Sequence, residues 1–157
     1  KQNKIFFDFS KVNSPFILLI FLIYLQIIMG AFVSGLDAGK IYQTWPLMGN
    51  SYFPNDTILV INNLLNFDNH SLVQFYHRNL AYLIFIYVFC LTIFIYKKRI
   101  SSLYFSIKIL LLLLFLQIFL GIFTLVSGLN IYLASAHQIT SVLLIFSALN
   151  MYFLRAK

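Results

Sequence analysis

Four long apolar runs constrain this chain more than any other feature. A membrane helix needs about 20 mostly apolar residues to cross roughly 30 Å of hydrocarbon. Stretches at about 15–35, 72–96, 103–126 and 132–154 meet that requirement. Hydrophobic residues make up 61% of the chain and charged ones 10%, whereas a soluble domain averages about 25% charged. The expected fold is therefore an all-α membrane protein, with four transmembrane helices in one bundle over residues 1–157 and the lipid bilayer as its first partner. Pro15 suits a first helical turn, where a missing N–H costs little. The turns after the second and third spans are tight, and only the 36–71 segment is long. Long ordered loops are usually functional.

The net charge of +7 does not point to nucleic acid, because no basic stripe lies on a polar face. The cations flank the apolar runs instead. Lys1, Lys4, Lys11, Lys97, Lys98, Arg99, Lys108, Arg155 and Lys157 fall on one side, against Lys40 and Arg78 on the other. Lysine and arginine concentrate on the cytoplasmic side, so both termini are expected there, or on the matrix side in an organelle. The single cysteine, Cys90, lies within an apolar run and reads as a small packing hydrophobe. Lys1 is not a methionine, so the reading expects a piece of a longer protein.

Two histidines stand at the heads of apolar runs, in QFYHRNLAYLIF and ASAHQITSVLLIF. His77 precedes Lys97 by 20 residues and His137 precedes Arg155 by 18. At 1.5 Å per residue these separations are about 30 Å and about 27 Å. Both histidines are thus expected at one level near the outer membrane edge. His70 reads as a solvated residue of the long loop.

The chain also repeats itself. QIIMGAFVSG from Gln26 and QIFLGIFTLVSG from Gln117 share a glutamine four residues before a glycine, a phenylalanine two residues later, and a closing Ser-Gly. A helix with a histidine near its start follows each copy. The bundle is expected to be two parallel helical-hairpin repeats, an arrangement that puts binding sites between the halves. His77 and His137 then become equivalent residues facing one another. Opposed neutral imidazoles can supply both axial ligands to a haem iron, whereas two ligands are too few for a closed zinc site. Gly30, Ala31, Ser34, Gly121, Ala134 and Ala136 are small residues able to leave room for the macrocycle. Arg78 and Lys40 are candidate partners for its propionates. The alternative for each histidine is a hydrogen-bonded packing residue. Arg78 equally fits a cation snorkelling to headgroups, and Gln26 and Gln117 fit residues that bond across helices.

The loop AFVSGLDAGKIYQTWPLMGN, the span start VQFYHR and the later LASAHQ closely resemble, in that order, the carboxy-terminal half of haem A synthase. The resemblance runs from about Pro15 to Leu154. It implies eight spans in two four-helix halves, in a bacterial or mitochondrial inner membrane, oxidising a methyl group of haem O to the formyl group of haem A. It implies that His77 and His137 are axial ligands of haem b in an electron-transferring half. The partners it implies are the amino-terminal half or a second copy, haem O, and an electron donor that the sequence does not identify. The loop residues Leu36, Asp37, Tyr42, Trp45, Pro46 and Met48 read as a lid or partner surface, with Asp37 equally a helix-end cap. The chain contains no glutamate and no second histidine pair, so on its own it is expected to bind haem without completing the oxidation. A cytochrome b-type subunit exchanging electrons with quinone explains the histidines as well, but not the loop. A structural or transport bundle without cofactor is the third reading.

Overall fold

A computed structural model describes residues 13–56 and 66–156. Four helices carry the fold: α1 (Ser14–Gly35), α2 (His70–Lys97), α3 (Tyr104–Val126) and α4 (Ile131–Ala156). All four are long and apolar enough to cross a membrane. Their outward faces carry Ile86 and Phe146, each 62% exposed, and Leu112, 68% exposed. Large apolar side chains in that number on every face belong against lipid tails, which are as apolar as they are. The chain is an integral membrane protein.

Helix limits follow from local chemistry. Pro15 lies in the first turn of α1. Asn69 caps α2, its side-chain oxygen accepting from the Leu72 amide at 3.1 Å. That cap starts the helix two residues before the expected span, so His70 is its exposed first residue rather than part of the loop. Asn130 accepts from the Tyr132 amide in the same way at the start of α4. Arg99 and Leu129 take left-handed backbone angles in the two tight turns. Asp37 also adopts left-handed angles past the end of α1, without a side-chain cap bond. Its carboxylate pairs with Lys40 at 2.8 Å, both side chains well exposed. Such a surface pair contributes at most about 1 kcal/mol.

The closest pairings are α3 with α4 and α1 with α2; α1 also packs along α4, and α2 more lightly along α3. Helices α2 and α4 therefore stand diagonally across the bundle. One contiguous core fills the end where α1 begins and α4 ends, built from Phe16, Leu19 and Ile23 of α1, Ile84 to Ile95 of α2, Leu103 to Leu114, and Leu144 to Tyr152 of α4. Its last members toward the long loop are Ile23, Ile84, Leu114 and Leu144. Beyond that layer the contiguous core stops. Cys90 lies on the outside, exposed beside Leu18, Leu22 and Ile86, rather than in the core.

Candidate functional site

The histidines lie just past the end of the core, in matching registers. His77 is seven residues from Ile84, and His137 is seven from Leu144. Gln26 and Gln117 each follow the last core residue of their helix by three positions, Ile23 and Leu114. Both imidazoles are partly buried, and His77 lies within electrostatic range of His137 and of Arg78.

Each ring is seated in the helix that precedes its own. A Cβ placed on Gly30 would come within 3.2 Å of His77 Cε1, and one on Gly121 within 3.0 Å of His137 Cε1. Real side chains rarely approach that closely, so each glycine leaves a notch for an imidazole. At both glycines the close neighbour is the histidine ring of the following helix. Ala31 and Ser34 are exposed, and Ala134 and Ala136 partly buried.

Glutamines brace the rings, as cross-helix bonding predicts. Gln26 Nε2 donates to the His77 carbonyl at 3.0 Å and lies 3.2 Å and 3.4 Å from His77 Nδ1 and Nε2. His137 Nδ1 lies 3.1 Å from the Gln117 carbonyl oxygen, which makes it the protonated, donating nitrogen. Its Nε2 then carries the lone pair, 3.3 Å from Gln117 Nε2. The Thr140 hydroxyl donates to Gln117 Oε1.

The donor set suits a planar cofactor that brings its own equatorial ligands. No group of three or more His, Cys, Asp or Glu able to hold a bare metal ion occurs among the described residues. The two imidazoles are on diagonal helices, and a metal-binding histidine ordinarily donates its other ring nitrogen to a carbonyl, as His137 does. Gln26 Oε1 is buried without a hydrogen-bond partner, and a buried polar atom of this kind calls for an explanation. The residues present fit a haem.

Arg78 is bonded to the backbone of the long loop. Its guanidinium donates to the carbonyls of Tyr42 at 3.0 Å, Thr44 at 2.9 Å and Leu47 at 3.3 Å. Gln74 adds a bond to the Tyr42 carbonyl at 2.8 Å. Asp56 accepts from the Tyr42 hydroxyl at 2.9 Å and from Ser71 at 2.6 Å, and Tyr52 donates to Asn79. Burial, then the bond to Asp56 and its charge, push the Tyr42 phenol above its ordinary range. The described part of the loop is thus tied to the first turns of α2. Met48 is buried beneath it, while Trp45, Pro46 and Leu47 face outward. Gly49, at φ 71°, turns the chain where a side chain would strain it. Gly39 lets the loop approach Leu129 in the α3–α4 turn, where an added Cβ would come within 2.9 Å of Cδ2. Loop positions 57–65 lie outside the described residues.

Fold and site together define an integral membrane helical bundle with a glutamine-braced histidine pair at its loop end. The chain belongs to the cytochrome oxidase assembly protein family (COX15-CtaA), whose model matches residues 8–149. It is 44% identical over 145 residues to the "Heme A synthase" of Pelagibacter ubique, covering 88% of this chain and 41% of that protein. It is 43% identical over 150 residues to the one of a Wolbachia from Brugia malayi, covering 95% and 43%. For Rickettsia prowazekii the identity is 35% over 153 residues, covering 94% and 46%. The chain thus spans less than half the length of these curated relatives. No solved structure matches it.

Proposed function

We propose that this chain is the haem b-binding half of a haem A synthase, with His77 and His137 as the two axial ligands. One observation carries the reading: two histidines on diagonal helices, each seated in a glycine notch and braced by a glutamine, at the level where the bundle core ends. The relatives bearing that name supply the reaction class. His77 and His137 would hold a haem there, and the haem would supply one-electron transfer.

The residues of this chain have separable tasks. His77 and His137 hold the iron, while Gly30 and Gly121 admit their rings. The Gln117 carbonyl fixes the His137 tautomer. Arg78 holds the loop, and its role toward a propionate falls to the N–H groups left over from the three loop carbonyls. The whole protein, in an inner membrane with this chain's termini on the cytoplasmic or matrix side, oxidises a methyl group of haem O to the formyl group of haem A. Its electron donor, and its amino-terminal half or a second copy, complete the system.

The test uses the intact protein purified in detergent, with the haem identified as its pyridine haemochrome. The expected result is haem b in the wild type and its loss in His77→Ala and His137→Ala. Haem retained unchanged in both variants contradicts the assignment.

A further inference from the structure

The two braces are not equivalent, and the difference lies in one residue of each hairpin. Thr140 follows His137 by three positions on α4, is 8% exposed, and has its hydroxyl on Gln117 Oε1. That hydroxyl has further acceptors in the carbonyls of Ala136 and His137, at 2.9 Å and 3.1 Å, and Gln117 Oε1 is the nearest of the three. The position three residues after His77 is Leu80, partly buried against the core and without a hydroxyl. Gln26 Oε1 correspondingly has no hydrogen-bond partner.

A ring nitrogen cannot accept an amide hydrogen and bind iron with the same lone pair. His137 gives its Nδ1 hydrogen to a backbone carbonyl, so the lone pair that Gln117 Nε2 approaches is the one iron would take. Gln26 Nε2 lies at similar distances from both nitrogens of His77, which places it over the ring face rather than along either in-plane lone pair. Its donation goes to the His77 carbonyl.

We propose that Gln117 is a positioning residue that caps the imidazole lone pair of His137 in the metal-free protein and surrenders it when haem binds, with Thr140 tightening that cap and no equivalent cap at His77. The proposal rests on the axial-ligand reading above. The cap bond exists only before coordination, so its free energy is subtracted from haem affinity. A net hydrogen bond of ordinary strength is worth about two- to tenfold in a binding constant. A residue that merely packs behaves differently: removing it lowers stability and haem affinity together.

The experiment titrates hemin into the intact apo-protein in detergent, following the Soret band, and records the melting temperature of the apo form. Gln117→Leu and Thr140→Val are expected to melt lower yet bind hemin about two- to tenfold more tightly. Leu80→Thr, beside a glutamine that covers no lone pair, is expected to leave hemin affinity unchanged. Thr140→Val replaces neither the histidine nor the glutamine, and it carries the test if Gln117→Leu does not fold. Thr140→Val that binds hemin equally or more weakly overturns the proposal, as does Leu80→Thr that shifts the affinity as far as Thr140→Val does. Binding that survives unchanged in His77→Ala and His137→Ala, or is absent from the wild type, overturns the axial reading and this proposal with it.

Discussion

Gly121 and His137 fit together so closely that a Cβ on the glycine would lie 3.0 Å from the imidazole Cε1. The ring position on α4 is therefore set by an absence on α3. Gly30 and His77 repeat the relationship on the other hairpin with slightly more room, at 3.2 Å. In both cases the notch lies four residues after the glutamine that braces the same ring.

Alanine at either glycine tests this geometry. Glycine to alanine inside a helix gains about 0.5–1 kcal/mol of backbone stability, while forcing extra volume into a fitted contact costs about 1–3 kcal/mol. Gly121→Ala is expected to displace the His137 ring and lower haem content more than Gly30→Ala does at the 77 ring. Haemochrome per mole of folded protein measures the order, and equal, wild-type loading in both would count against the notches.

The loop prediction concerns Arg78. Its planar guanidinium bonds three carbonyls at once, which the single ammonium of lysine cannot reproduce. Hydrogen bonds to charged groups are worth about 1.5–3 kcal/mol each. Arg78→Lys should therefore raise amide exchange across residues 41–49 at least about tenfold while leaving the middle of α2 protected. Unchanged exchange in that segment would show that other contacts hold the loop.

Loop docking should also depend on pH at the alkaline end. Burial and Asp56 raise the Tyr42 phenol above its ordinary value, about 10 for a free tyrosine. As pH climbs past that value the undocked loop loses this proton first and binds fewer protons than the docked one. Docking stability is then fully present below about pH 10 and falls as pH rises above it. Tyrosinate absorbance of wild type minus Tyr42→Phe isolates the group. Asp56→Asn is expected to bring its titration back toward the ordinary range, and a titration unmoved by that change would remove Asp56 as a contributor.

Much of the fold was legible because a hydrocarbon slab admits few solutions. Four runs of sufficient length gave four helices, with limits within two residues of the expected ones. The α2 start was misjudged because the Asn69 cap, a local bond, extends the helix through polar His70 and Ser71. The glutamine, glycine and histidine signals were visible as a repeat, yet their mutual contact was not. Which face of α1 meets α2 depends on how two helices rotate against each other, and spacing along one chain does not carry that. Arg78 was harder still. Its partners are main-chain carbonyls 31 to 36 residues away, and a carbonyl has no signature in sequence. Lys40 pairs on the surface with Asp37, three positions earlier.

The central claim is that His77 and His137 hold one iron between them, and electron paramagnetic resonance of the ferric intact protein tests it most directly. The account predicts a low-spin bis-imidazole signal that becomes high-spin in His77→Gly and in His137→Gly, and that added imidazole restores in each. A low-spin signal that survives in either variant without imidazole would contradict it.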